Sequence, residues 1–151
     1  TIWERWDGIK PDSAFQTPSM NSFNHYSYGA IGDWMYRVIA GIDTYEDEPG
    51  YKHIRIMPHI GGGLSYANAD LQTYYGTVSS HWKLENDKLL LDVEIPANTK
   101  ANIFIPATTI ESIKESGKKL DDSKGLQVKG IERNYVIVET GSGIFHFSVD
   151  R

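Results

Sequence analysis

Two hydrophobic periods divide this chain. Between residues 22 and 42, Ile31, Trp34, Met35, Val38, Ile39 and Ile42 recur at three- and four-residue steps, the spacing that lines one face of an α-helix. Asn21 or Ser22 offers the side-chain oxygen of an N-cap, and Gly41 is well placed as the stop. Tyr26, Tyr28 and Tyr36 widen the apolar surface, and the glycines at 29 and 32 weaken the helix while permitting close packing. Trp34, inside the stripe, is predicted to be core. A helix with this much apolar surface is built to touch more than one neighbour.

Beyond the acidic, turn-forming stretch Asp43-Thr44-Tyr45-Glu46-Asp47-Glu48-Pro49-Gly50 the period becomes two. Ile54 and Ile56 flank Arg55; Val78, Ser80, Trp82 and Leu84 alternate with their neighbours; Leu89, Leu91, Val93 and Ile95 do the same. Further runs lie at Ile103-Phe104-Ile105, Ile110 to Ile113, Leu126 to Ile131, Tyr135 to Val138 and Ile144 to Val149. Turn signals separate them at Glu85-Asn86-Asp87, Ser116-Gly117-Lys118, Arg133-Asn134 and Thr140-Gly141-Ser142-Gly143, the last predicted to be a hairpin turn. About eight to ten strands without intervening helices indicate a mainly β fold, an antiparallel sandwich or barrel. Pro58, Pro96 and Pro106 are predicted to mark edge strands, because proline donates no ladder hydrogen bond. Residues 1 to 21, with Pro11 and Pro18 among polar residues, read as an irregular loop.

The 151 residues suffice for one ordinary domain with a real core, or for a small domain carrying part of another. There are no cysteines, which excludes disulfides and thiolate chemistry. A net charge of −5 and scattered Lys and Arg leave no basic stripe for phosphates, so no nucleic-acid partner is expected. No apolar run approaches the roughly 20 residues that span a bilayer, so no membrane partner is expected either. His53 and His59 lack a carboxylate at ligand spacing, and Gly61-Gly62-Gly63 is not followed by Lys-Ser/Thr; neither a metal nor another cofactor is expected.

Candidate chemistry concentrates near the start. Ile2-Trp3-Glu4-Arg5-Trp6-Asp7-Gly8 pairs a carboxylate with indoles, and Ser22-Phe23-Asn24-His25-Tyr26-Ser27-Tyr28-Gly29 places a histidine at a helix start. Indole faces pack on the C–H side of sugar rings and a carboxylate can take a proton from water, a combination suited to glycoside chemistry. Glycoside hydrolysis usually needs two carboxyl groups, and only one is placed here; the other acidic residues read as solvated surface. Bland alternatives stand beside each assignment. Glu4 could be a surface carboxylate, His25 a helix cap or packing residue, and Trp3 or Trp6 a brace for the loop. Trp82, Tyr74 and Tyr75 could form a sugar platform, though a sandwich core absorbs aromatics easily.

Taken together, the indole-flanked glutamate, the Ser22–Gly29 helix start, Gly32-Asp33-Trp34-Met35-Tyr36-Arg37, Tyr75-Gly76-Thr77 and Ile95-Pro96-Ala97-Asn98-Thr99 resemble the C-terminal end of bacterial α-L-rhamnosidases, glycoside hydrolase family 78. The resemblance covers nearly the whole chain and is strongest over residues 2 to 42. It implies that residues 1–43 are the last segment of a catalytic (α/α)6 barrel and residues 44–151 a C-terminal β-sandwich. It also implies an inverting glycosidase acting on terminal α-L-rhamnosyl linkages of glycans or glycosides, with Glu4 as the base that deprotonates water and His25 contacting rhamnose hydroxyls. Trp3 and Trp6 are then candidate substrate contacts, the general acid lies upstream, and this chain alone is inactive. The alternative is a non-catalytic carbohydrate-binding or structural sandwich. Parted from a barrel, the helix stripe is expected to drive homodimerisation or folding back, and residues 1–21 to be displaced. Polysaccharide degradation by a bacterial enzyme would favour a periplasmic or extracellular site.

Overall fold

The computed structural model describes residues 3–19, 22–120 and 123–150, which divide into two compact units, Thr1–Trp34 and Met35–Arg151. In the first unit the loop doubles back on itself. Ile9 and Phe15 form an isolated antiparallel bridge, flanked by hydrogen bonds from Lys10 N to Ala14 O (2.9 Å) and from Gln16 N to Gly8 O (3.1 Å). The Asp12 carboxylate accepts from Ala14 N at 3.0 Å and closes the tip, where Ser13 takes a φ of 64°.

The helix begins later than the sequence suggests. A 3-10 turn spans Tyr26–Gly29 and α1 follows at Ala30–Trp34. The N-cap is His25, whose Nδ1 accepts from Ser27 N at 3.2 Å. Of the two expected caps, Asn21 lies outside the described residues, and Ser22 instead accepts from Asn24 N at 3.4 Å. The delay has a cause: Ser22 pairs with the backbone of Glu4, and Phe23 packs against Trp3 and Phe15, which draws residues 22–24 away from helical geometry. Trp34, expected in the core, is 48 % exposed, because the stripe's burial is confined to its C-terminal end.

In the second unit a π-helical segment, Met35–Ala40, leads into two sheets. One is five-stranded, in the order β1 (Ile42–Thr44), β2 (His53–Ile56), β6 (Lys100–Pro106), β10 (Tyr135–Thr140), β9 (Leu126–Glu132). The other is six-stranded: β3 (Tyr66–Thr73), β4 (Gly76–Glu85), β5 (Lys88–Ile95), β11 (Gly143–Asp150), β7 (Ile113–Glu115), β8 (Lys118–Lys119). The inward residues of both, among them Ile54, Ile56, Ile103 and Ile105 against Val78, Leu91, Val93 and Phe147, form one buried core. The fold is therefore mainly β; the period-two pattern located β2, β4, β5, β6, β9, β10 and β11, whereas β1, β3 and β8 were not among the predicted runs.

Four expectations need correction. β2 and β6 pair in parallel, His53 opposite Lys100; the intervening chain crosses to the other sheet for β3 to β5 and returns with the direction unchanged. β2, β5 and β6 are interior strands, and Pro58, Pro96 and Pro106 sit just beyond or at their last residues, where a missing N–H costs little. Gly141-Ser142 carries the chain from β10 in one sheet to β11 in the other, so it is a layer crossing and not a hairpin. The run at Ile110 is a turn closed by Ile113 N to Ile110 O (3.1 Å), and the strand starts at Ile113. The turns expected at 86–87, 116–117 and 133–134 are present and are two-residue hairpins, with positive φ at Asn86, Asp87, Ser116, Gly117 and Arg133.

A helix leaves its last carbonyls without intrahelical donors, and here the sandwich supplies them. Val38 O accepts from His59 N (3.0 Å) and Gly41 O from Met57 N (2.8 Å). Ile39 O accepts from the indole Nε1 of Trp82 (2.8 Å), and Ala40 O from the buried Ser80 hydroxyl (2.6 Å). The close approach requires glycine at 41: its φ is +79°, and a Cβ there would lie 2.2 Å from Met57 C and Pro58 N. Beside this junction Asp43, only 5 % exposed, accepts from Arg37 Nε (3.1 Å), Arg37 Nη2 (3.4 Å) and Thr44 N (2.8 Å), and also pairs with Arg55. Burial, the largest influence, pushes the Asp43 carboxyl up, but the Thr44 N–H and the Arg55 and Arg37 guanidinium groups together hold it below its ordinary value.

Gly41→Ala is expected to cost at least about 2 kcal/mol, and Ser80→Ala about 1–2 kcal/mol through an orphaned carbonyl, measured by urea unfolding. A loss below the noise for both would contradict the junction described. For Asp43 the folded pKa lies below the unfolded one, near 3.9, so its contribution is present above about pH 4 and disappears as pH falls through the folded value. Asp43→Asn should therefore lower stability by about 1–3 kcal/mol at pH 7, with the gap to wild type closing in more acidic urea titrations. A gap independent of pH would refute the assignment.

Candidate functional site

All four site residues named from the sequence lie in the first unit, and one pairing joins Glu4 to the segment that carries His25. Glu4 N donates to Ser22 O at 2.9 Å, and Ser22 N donates to Glu4 Oε2 at 3.2 Å. This two-bond clasp joins the carboxylate to the segment that carries His25 three residues on. It leaves Oε1 outside the clasp on an exposed side chain. A carboxylate whose second oxygen has no hydrogen-bond partner among the described residues can accept a proton from a water presented there.

Trp3 meets Phe23 edge-to-face, with ring centroids 5.3 Å apart and planes at 83°. Phe23 in turn lies 5.5 Å from Phe15. The Trp3 ring thus braces the clasp from the N-terminal side. Trp6 is different: it is 98 % exposed, presenting both faces to solvent. Only one of the two indoles is tied to the loop, in keeping with the difficulty of turning residues three apart in an irregular segment onto one partner.

His25 has two roles visible in the structure. Nδ1 accepts from Ser27 N as the helix cap, which leaves the proton on Nε2, and the ring stacks on Tyr26 with centroids 4.9 Å apart and planes 11° from parallel. The cap fixes the tautomer and the stack fixes the ring plane, so Nε2–H is a directed donor. Such a donor suits a hydroxyl oxygen.

Arg5 completes the loop by donating from Nη1 to Gln16 Oε1 (2.9 Å) and Thr17 Oγ1 (3.3 Å). Sequence reasoning missed this residue, since contacts across 11 and 12 positions of irregular chain leave no periodic signal. The same holds for Ser80 and Trp82, which look like ordinary strand residues until the helix end is in place. Among the described residues no group of three or more His, Asp or Glu is arranged to hold a metal ion.

Residues 1–39 match the family model described as the bacterial α-L-rhamnosidase 6 hairpin glycosidase domain, and residues 41–120 match that of the bacterial α-L-rhamnosidase C-terminal domain. An α-L-rhamnosidase of Streptomyces avermitilis is 40 % identical over 149 residues, 99 % of this chain but 14 % of the relative. The crystal structure of the Streptomyces avermitilis α-L-rhamnosidase complexed with L-rhamnose superposes with a TM-score of 0.78 at 38 % identity, over 99 % of this chain and 14 % of that one. The α-L-rhamnosidase from Dictyoglumus thermophilum gives 0.78 at 31 %, over all of this chain and 16 % of that one. This chain thus spans about one seventh of the length of the relatives it matches. It belongs to the bacterial α-L-rhamnosidase family, as the end of the hairpin glycosidase domain together with the C-terminal domain.

Proposed function

We propose that this chain serves as the C-terminal portion of an enzyme that hydrolyses terminal α-L-rhamnosyl linkages with inversion. In this reading residues 1–43 close a catalytic (α/α)6 barrel and residues 44–151 are the sandwich that follows it. The observation that carries it is the Glu4–Ser22 clasp, which holds a carboxylate against the His25 segment within the part of the chain that matches a glycosidase domain.

Glu4 acts as the general base. The oxygen outside the clasp takes a proton from water as that water attacks the anomeric carbon, and a carboxylic acid from another part of the enzyme protonates the leaving oxygen. Inversion requires these two groups to stand about 6.5–9.5 Å apart, leaving room for the water. His25 donates from Nε2 to a rhamnose hydroxyl, and Trp6 offers its free face to the C–H side of the sugar while Trp3 steadies the loop. The sandwich serves a structural purpose, because Ser80, Trp82, Met57 and His59 bond the carbonyls of residues 38–41 at the helix end.

A base without its acid does not turn over glycosides, so the 151-residue chain incubated with an aryl α-L-rhamnoside is expected to release no phenol above background. When the chain replaces the matching segment of the Streptomyces avermitilis enzyme, the chimera should hydrolyse the same substrate. Glu4→Gln should then lower kcat by roughly 10²–10⁴-fold. Turnover by the isolated chain, or a chimera indifferent to Glu4→Gln, would refute the assignment. Exposed Tyr28, Ile31, Trp34 and Met35 should also promote self-association of the isolated chain. Sedimentation velocity showing a monomer at every concentration would refute that.

A further inference from the structure

The turn joining β3 to β4 departs from turn chemistry. A two-residue hairpin loop favours Asn, Asp or Gly, yet the pair between Thr73 and Gly76 is Tyr74-Tyr75. The conformation is secured without them: Thr73 Oγ1 accepts from Tyr75 N (3.1 Å) and donates to Gly76 O (2.7 Å), and Gly76 absorbs a φ of +125°. Tyr74 makes no use of its ring in the fold, being fully exposed. Tyr75 instead has the Lys52 ammonium 4.9 Å from its ring centroid.

Beside Tyr74 lies a groove of about 440 Å³ lined by Gly50, Tyr51, Leu71, Gln72, Thr73 and Tyr74. That volume falls within the range of small-molecule sites. None of the six residues carries a formal charge, so the lining itself offers an ionic ligand no ion pair. The walls are two tyrosines and a leucine. The Gln72 amide is tied to Thr73 O and to the Thr77 hydroxyl, and the rest of the lining is mostly apolar. Aromatic and aliphatic walls without formal charge suit the C–H face of a pyranose ring.

We propose that the groove beside the β3–β4 turn is a binding site for a neutral saccharide, with one sugar ring stacked on Tyr74. The choice of sugar rests on the glycosidase function proposed above; the site itself does not. It would hold a carbohydrate chain at a distance in sequence from Glu4, as an accessory contact without chemistry.

The test is an NMR titration of the isotope-labelled chain with L-rhamnose and, separately, cellotriose. Shifts at the Gly50, Leu71 and Gln72 amides at millimolar sugar are expected with at least one of them. The response should survive about 0.5 M NaCl, because no charge is involved. Tyr74→Ala, at a fully exposed position, should leave the melting temperature unchanged and weaken binding roughly 3–10-fold. Silence at these amides up to ~50 mM of both sugars, or an undiminished response in Tyr74→Ala, would overturn the proposal. So would concentration-dependent dimerisation abolished by Tyr74→Ala in the absence of any sugar response, which would make a second copy the occupant. Catalysis by the chimera is a separate readout, so failure here and failure of the glycosidase assignment are told apart.

Discussion

Four carbonyl groups at the end of one helix organise the second unit. Helices in globular proteins usually finish on water or on their own following residues. Here the oxygens of Val38, Ile39, Ala40 and Gly41 each receive a donor from the strands or from the segment after β2. Ser80 and Trp82 are buried in β4, so the sandwich cannot withdraw without stranding both a carbonyl and its own donor. That double penalty is what makes the helix end and the sandwich a single structure. Asp43 adds an electrostatic tie at the same place, joining Arg37 on the helix to Arg55 on β2.

Much of the fold was legible because burial and periodicity say the same thing in half-buried strands. Leu89, Leu91, Val93 and Ile95 alternate in sequence and are all buried, and the tight turns announced themselves through Asn86-Asp87 and Ser116-Gly117. Topology was less legible. Nothing in Ile54-Arg55-Ile56 distinguishes a parallel neighbour from an antiparallel one, and a proline at a strand end looks the same in sequence as a proline on a sheet edge. The helix start was misplaced because residues 22–24 are claimed by Glu4, Trp3 and Phe15, contacts that span up to 20 positions of irregular chain.

The candidate site shows the same limit at finer grain. Glu4 and His25 came from resemblance to a family, and their residue types alone would have served a surface carboxylate and a helix cap equally well. His25 is in fact a cap, and the capping bond is what aims its other nitrogen. A structural role and a proposed binding role therefore coexist on one ring. Trp3 and Trp6, nearly indistinguishable in sequence, separate completely in space: one is packed on Phe23 and the other stands in solvent.

The dependence of the unit on its helix junction is most directly tested by native-state hydrogen exchange. If the four carbonyl bonds tie the helix end to the sandwich, the amides of residues 38–41 that are hydrogen-bonded and those of β4 and β5 will exchange with the same opening free energy and the same denaturant dependence. Ser80→Ala should lower both sets together. Exchange of the helix end through a low-energy local opening, with β4 and β5 still protected and unaffected by Ser80→Ala, would contradict this account.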